Sequence, residues 1–255
     1  MEHGQTAEMN DSNGEAVIVI NGLCKSFGNN HVLNNFNLRL NSKENLVVLG
    51  RSGSGKSVLI KCIIGLLKPD DGEIIVFGNN VDELSHHELD MLRTEIGFLF
   101  QSNALYDSMT VRENLEFPLR RHWFELSQKE VDDMVMEALD NVNLGHTSEM
   151  MPAELSGGMA KRIALARTMI LRPKVILYDE PTTGLDPITA REIESLILKL
   201  HDKYQTSSII ISHDMNCVKN TADRVALLLD GKCYTEGSFE DLEKSEDEHV
   251  KQFFE

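Results

Sequence analysis

Apolar positions along the chain follow two periods. Residues 46–49 (Leu-Val-Val-Leu), 175–178 (Val-Ile-Leu-Tyr) and 209–211 (Ile-Ile-Ile) are unbroken apolar runs, the pattern of strands buried on both faces. Residues 17–20, 37–40 and 74–77 predict shorter strands. The helical period governs elsewhere. Ser127-Gln128-Lys129-Glu130 has the form of a capping box, after which Val131, Met134, Val135, Ala138, Leu139 and Val142 recur on one face. Residues 58–64 and 159–171 read as apolar helices, and residues 83–92 as a solvated helix carrying His86 and His87. Residues 186–203 read as the last helix, with Ile193, Leu196, Ile197 and Leu200 on its buried stripe. Strand signals vanish between 102 and 160. The alternation of strands and helices on either side of that stretch predicts an α/β fold with a mainly parallel sheet and no internal repeat.

Two of the predicted strands end in chemistry. Strand 46–49 runs into Gly50-Arg51-Ser52-Gly53-Ser54-Gly55-Lys56-Ser57, with Val58 opening the apolar helix that follows. This is G-x-x-x-x-G-K-[ST] between a strand and a helix, the context that the phosphate-cradling loop requires. Gly53 and Gly55 let the backbone turn its N–H groups inward, and the helix N-terminus adds partial positive charge. Lys56 is placed to reach β- and γ-phosphates, and Ser57 to ligate Mg²⁺. Strand 175–178 closes on Asp179-Glu180. Asp179 suits a hold on the same Mg²⁺, and Glu180 stands where a carboxylate can polarise a water in line with the γ-phosphate.

With Leu155-Ser156-Gly157-Gly158-Met159 between them, these motifs give a chain that resembles the nucleotide-binding subunits of ABC transporters over residues 17–240. The resemblance implies a P-loop NTPase (RecA-like) core with a small antiparallel β layer and an inserted α-helical subdomain. Its division of the chain is a disordered tail (1–15), the first part of the core (16–100), the helical subdomain (101–160), the second part of the core (161–240) and an acidic C-terminal tail (241–255). It also implies roles. Phe27 stacks on the adenine of ATP, and the loop from Gly50 to Val58 holds the phosphates. Mg²⁺ lies among Ser57, Gln101 and Asp179, Glu180 is the catalytic base, and Gln101 and His213 sense the water and the γ-phosphate. Ser156, Gly157 and Gly158 contact the γ-phosphate bound to a second copy, in a head-to-tail homodimer whose sites Asp186 links. The residues alone leave two alternatives open: Asp186, followed by Pro187, also reads as a helix N-cap, and Phe27 as a strand-end core residue.

Composition narrows the partners. At 255 residues and 41% hydrophobic content the chain can bury one large domain or two joined subdomains. Asp and Glu number 41 against 25 Lys and Arg, a net charge of −16, which argues against nucleic acid as a partner. No apolar run approaches the ~20 residues of a spanning helix, so a membrane would be reached through a partner. Residues 1–15 lack the basic and apolar regions of an export signal and have a disordered composition. Cys24, Cys62, Cys217 and Cys233 are widely spaced and predict reduced core thiols, and His86-His87 lacks the spacing of a structural metal site.

Met159 replaces the glutamine usual at the end of the Leu155–Gly158 motif. Together with residues 100–111 (Phe-Gln-Ser-Asn-Ala-Leu-Tyr-Asp-Ser-Met-Thr-Val), 117–120 (Phe-Pro-Leu-Arg) and 159–162 (Met-Ala-Lys-Arg), it is similar to the ATPase subunits of Mce and Mla lipid transporters. This implies an ATPase on the cytoplasmic face of a bacterial inner membrane that powers phospholipid transport. Its partners would be an Mla/Mce-type permease and an Mce-domain lipid-binding subunit, with room for a small regulatory subunit on the helical face. Two other readings stay open: an importer ATPase for a small polar solute such as an amino acid, and a soluble ABC ATPase acting on DNA or ribosomes. The end of the chain, with Phe253-Phe254, reads as a solvated end or a short dimer-contacting arm.

Overall fold

The computed structural model describes residues 15–121 and 125–254, so the expected disorder of residues 1–14 lies outside the described residues. Residue 15, assigned to that tail, is already engaged: its carbonyl accepts from the Ser42 N–H at 2.9 Å. In chain order the elements are β1 (Ala16–Phe27), β2 (Asn30–Asn41), β3 (Asn45–Leu49), α1 (Lys56–Ile63), β4 (Asp71–Val76), β5 (Asn79–Asn80), α2 (His86–Thr94) and β6 (Ile96–Leu99). Then come α3 (Val111–Arg121), α4 (Gln128–Asn141), α5 (Gly157–Met169), β7 (Val175–Asp179), α6 (Pro187–Tyr204), β8 (Ser207–Ser212) and α7 (Met215–Thr221). The chain closes with β9 (Arg224–Leu229), β10 (Lys232–Gly237), α8 (Phe239–Glu243) and α9 (Glu248–Phe254).

The larger sheet runs β10-β9-β3-β8-β7-β6, parallel apart from the β10 edge. Its register sets Leu49 beside Ser212, Ile211 beside Asp179 and Tyr178 beside Leu99, which aligns the C-terminal ends of β3, β8, β7 and β6 in one row. Both faces are buried. Val47, Leu49, Ile176, Tyr178 and Ile210 point into a core shared with α3, α4, α5 and α6. Leu46, Val48, Val175, Leu177, Ile209 and Ile211 point into a second core, shared with α1 and the antiparallel sheet. Alternate side chains thus enter different cores, which is why these strands read as unbroken apolar runs.

The small antiparallel layer expected from the resemblance has the order β2-β1-β4-β5. Its strands are longer than the sequence pattern suggests: β1 and β2 each span 12 residues. Register shifts between Ile20 and Leu23 and again around Lys25 break the alternation, with Gly22 at φ 62° in the first of them. Strand β9 and its antiparallel neighbour β10 complete the larger sheet beyond the elements the pattern singled out. The stretch between β6 and β7 is free of strand among the described residues, which matches the loss of strand signals between 102 and 160. Its capping box is made: Ser127 accepts from the Glu130 N–H, and Glu130 accepts from the Ser127 N–H at 2.7 Å.

Three expectations need correction. Helix α5 begins at Gly157, directly after its Ser156 N-cap, rather than at 159. Helix α6 is not the last; α7, α8 and α9 follow it. Residues 241–254 are not a free acidic tail. Val250 is 2% exposed, Phe253 and Phe254 pack on the core beneath the larger sheet, and Phe254 meets Phe239 with ring centres 5.3 Å apart. Val250, Phe253 and Phe254 do stand at helical spacing, but three positions are too few to outweigh the acidic residues that dominate the composition around them. All four cysteines are free thiols; Cys62 and Cys217 are core residues, while Cys24 and Cys233 are only partly buried.

Candidate active site

The Gly50–Ser57 loop leaves the end of β3 and enters α1 through Gly55, whose φ of 103° lies in the left-handed region. A Cβ there would come within 2.6 Å of Val32 Cγ1 and 3.0 Å of the Val32 carbonyl, so both angle and space demand glycine. Lys56 is buried, and its ammonium donates to the carbonyls of Gly50 at 2.7 Å and Arg51 at 3.0 Å. Burial pulls its pKa below the usual lysine value, against the opposing pull of Glu180 and Asp179. The Ser54 hydroxyl is buried without a hydrogen-bond partner. An orphaned donor, a buried ammonium and a helix N-terminus facing one loop fit the oxygens of a nucleotide phosphate chain. Ser52 and Gly53 are exposed, and Val58 packs on the core shared with the antiparallel sheet. Exposed Arg51 turns the other way, donating to Gln252 of α9 at 2.8 Å with its guanidinium 5.7 Å from the centre of the Phe253 ring.

Asp179 and Glu180 face this loop from the end of β7. The Ser57 hydroxyl donates to Asp179 Oδ1 at 3.0 Å, and burial raises the Asp179 pKa. A hydroxyl and a carboxylate already in contact form a hard-oxygen pair of the kind Mg²⁺ selects. Glu180 sits at φ 52°, a left-handed conformation that costs of order 1 kcal/mol for a long side chain. It is held there by its N–H, which donates to the Ile211 carbonyl at 3.0 Å, and by its carboxylate. That carboxylate accepts from Thr183 Oγ1 at 3.0 Å, lies 2.8 Å from His213 Nδ1 and 3.5 Å from Lys56 Nζ. Lys56, Ser57, Asp179, Glu180 and His213 therefore converge at the ends of β3, β7 and β8.

Other residues singled out by the sequence stand around this cluster. Gln101, exposed just past β6, offers its carbonyl to Lys161 Nζ at 3.0 Å. Phe27 ends β1 at 50% exposure, so it is not a core residue. Ser156 caps α5 by accepting from the Met159 N–H at 3.3 Å; Ser156 and Gly157 are exposed, and Met159 packs on the core. Gly158 lies so close to α6 that a Cβ would meet Thr189 Cγ2 at 2.7 Å. Asp186 is the N-cap of α6, accepting from the N–H groups of Ile188 and Thr189 at 3.0 and 3.1 Å. The Thr189 hydroxyl and these N–H groups hold its pKa below the usual carboxylate value. Among the described residues no hydrogen bond or ion pair joins Ser156, Gly157, Gly158 or Asp186 to Lys56 or Glu180. Sequence reasoning missed Thr183, which steadies Glu180, and Lys161 and Asn114, which hold the loop after β6. A buried lysine or asparagine carries no periodic signal.

A profile of the ABC transporter family matches residues 33–183. The chain belongs to this family. Over 236 residues the cassette is 40% identical to the probable ribonucleotide transport ATP-binding protein mkl of Mycobacterium tuberculosis, covering 92% of this chain and 66% of that protein. It thus spans about two thirds of the length of that relative. It is 39% identical over 237 residues to the intermembrane phospholipid transport system ATP-binding protein MlaF of Haemophilus influenzae, covering 93% of this chain and 89% of MlaF. Among solved structures, the ATP-binding cassette MJ0796, a dimer in a post-hydrolysis state bound to ADP and Pi, superposes with a TM-score of 0.79 at 31% identity. That match covers 87% of this chain and 98% of the other. The α/β architecture is thus that of an ABC ATPase cassette.

Proposed function

We propose that the chain is the ATP-hydrolysing subunit of a transporter that moves phospholipid across the cell envelope. The observation that carries the ATPase reading is the convergence of Lys56, Ser57, Asp179, Glu180 and His213 at the ends of three adjacent strands. The similarity to MlaF over nearly the whole of both chains supports the lipid cargo. The cassette works as a homodimer on the cytoplasmic face of the membrane. No helix among the described residues is long and apolar enough to cross a membrane, which fits contact through a permease. A groove of about 450 Å³ beside the loop after β6, lined by Phe98, Phe100, Tyr106, Phe117, Pro118 and Leu171, is the surface assigned to that permease. An Mce-domain subunit would complete the assembly on its far side.

Within the site, Lys56 gives up the Gly50 and Arg51 carbonyls to hold phosphate oxygens, while Ser54 and the loop N–H groups supply further donors. Phe27 presents its exposed ring to the base. Ser57, Asp179 and Gln101 would hold Mg²⁺, which would neutralise charge on the phosphates. Glu180 accepts the proton of the attacking water at its carboxylate, aimed by Thr183 Oγ1 and His213 Nδ1. Exposed Ser156 and Gly157 serve the nucleotide of the second copy, and Asp186 ties the two sites together. The test is a pull-down of the Glu180→Gln protein with ATP from gently solubilised membranes, with mass spectrometry of co-eluting proteins and lipids. Recovery of a multi-span permease with an Mce-domain protein and enriched phospholipid is expected; an amino-acid permease in their place would overturn the lipid reading and leave the ATPase.

A further inference from the structure

Helix α5 carries Ser156 at its N-cap, and it also grips the loop after β6. Lys161, 2% exposed, donates from Nζ to the Gln101 carbonyl at 3.0 Å. Further along the same helix, Arg167 donates to the carbonyls of Ala104 at 2.8 Å and Asn103 at 3.1 Å, and its guanidinium lies 5.7 Å from the centre of the Tyr106 ring. Asn103 and Ala104 sit at φ 64° and 52°, a conformation that residues with a Cβ adopt at a cost, so the loop is bent against its own preference. Two cations of one helix thus hold three backbone carbonyls of this loop, those of Gln101, Asn103 and Ala104. A buried ammonium is an expensive way to do this, since a methionine of similar length would fill the same space without desolvating a charge. Packing alone therefore does not account for Lys161.

We infer that Lys161 is a positioning residue for ATP hydrolysis: by tying the Gln101 backbone to α5, it makes Gln101 in one nucleotide site move with the Ser156–Gly158 segment that serves the other. This rests on the roles proposed above for Gln101 and Ser156. The link is direct, because Lys161 follows Ser156 on the same rigid helix and meets Gln101 without an intervening residue. Arg167 fixes the rest of the loop, so Lys161 is the contact that sets where Gln101 starts.

The experiment compares Lys161→Met, Lys161→Arg, Gln101→Ala and the Lys161→Met/Gln101→Ala double variant in the full chain. It reads steady-state ATPase against ATP and Mg²⁺, binding of a fluorescent ATP analogue, and thermal unfolding. Lys161→Met is expected to cut kcat about tenfold or more and raise the half-saturating Mg²⁺ at least threefold. Analogue affinity should stay within about twofold, and the melting temperature should hold or rise. Lys161→Arg should recover most of the lost rate, and the double variant should be no slower than Gln101→Ala. Wild-type kcat and Mg²⁺ response in Lys161→Met, alongside an impaired Gln101→Ala, would overturn the role of Lys161 alone. A melting temperature that falls in step with activity would likewise reduce Lys161 to a packing residue. Wild-type turnover in Gln101→Ala would instead remove the role of Gln101, and the inference with it.

Discussion

Asn114 is completely buried in the first turn of α3, and its amide organises the loop that bears Tyr106. Its Nδ2 donates toward the carbonyls of Tyr106, Met109 and Thr110 at 3.1, 3.1 and 3.0 Å, and its Oδ1 accepts from the Tyr106 N–H at 2.8 Å. Two amide hydrogens shared among three carbonyls, plus one accepted bond, amount to about three hydrogen bonds, each contributing about 1 kcal/mol net. Asn114→Ala removes them all and leaves the Tyr106 N–H without its partner, so the loss should be about 3 kcal/mol. For a chain of this size that lowers Tm by about 6–12 °C, read by circular dichroism on nucleotide-free protein. A local readout is independent of the global one: exchange of the Tyr106 amide hydrogen should accelerate by about 100-fold, the equivalent of the same free energy. Because Tyr106 and Phe117 pack with ring centres 4.8 Å apart and line the groove proposed to receive a permease, stimulation of ATPase by that partner should fall more than basal turnover. A Tm loss under about 2 °C together with unchanged Tyr106 exchange would refute this account of the loop.

The remaining predictions concern the cluster at the strand ends. Glu180→Gln keeps the shape and the Thr183 contact but cannot take a proton, so turnover should fall about 10²-fold or more while ATP still binds and the closed dimer accumulates, measured by ATPase assay and size-exclusion chromatography; normal turnover would remove Glu180 from catalysis. Lys56→Ala deletes a charge-assisted phosphate contact and should weaken ATP binding by about tenfold to a hundredfold in calorimetry, unchanged affinity contradicting the phosphate assignment. Asp179→Asn should stabilise the nucleotide-free protein while abolishing Mg²⁺-dependent turnover. The sign follows from burial. The folded Asp179 pKa lies above its unfolded value, so the buried carboxylate costs stability in full above the folded pKa, and that cost fades as pH falls through it toward the unfolded pKa. The Tm advantage of the Asn variant should therefore be largest at neutral pH and shrink on acidification; a constant advantage would tie it to something other than ionisation.

The core was legible where both sheet faces are covered, because Leu46–Leu49 and Ile209–Ile211 carry an apolar side chain at every position. The phosphate loop was legible for a related reason: glycine, lysine and serine are each forced by geometry, as the Val32 clash at Gly55 illustrates. The antiparallel layer was only half visible, since the bulges in β1 place polar Asn21, Lys25 and Ser26 out of alternation. The C-terminal helix was hidden because only three apolar residues, Val250, Phe253 and Phe254, tie it to a core built by earlier segments of the chain, Phe239 among them. Buried polar organisers were wholly invisible. Nothing in the letters around Asn114 or Lys161 tells a core amide or ammonium from an exposed one, because what decides is whether backbone carbonyls from another segment arrive to meet it.

The side chains of the site pair with one another, and that shapes how they can respond. Lys56 spends its donors on the carbonyls of its own loop, Ser57 on Asp179, and Thr183 and His213 on Glu180, leaving Ser54 Oγ as the orphan. Each of these contacts is local to the C-terminal ends of the parallel strands, so exchanging them for phosphate and metal oxygens needs no change in either core. The segments beside Ser156 and Gln101 differ, since their contacts run through a whole helix: Ser156 caps α5, Gly158 is pressed against Thr189 of α6, Asp186 caps α6 through that same Thr189, and Lys161 returns from α5 to Gln101. A displacement at Ser156 is therefore not absorbed by one rotamer; it shifts α5, α6 or the loop after β6. The fold thus joins a half whose contacts are local to the strand ends to a half whose contacts are tied into α5 and α6.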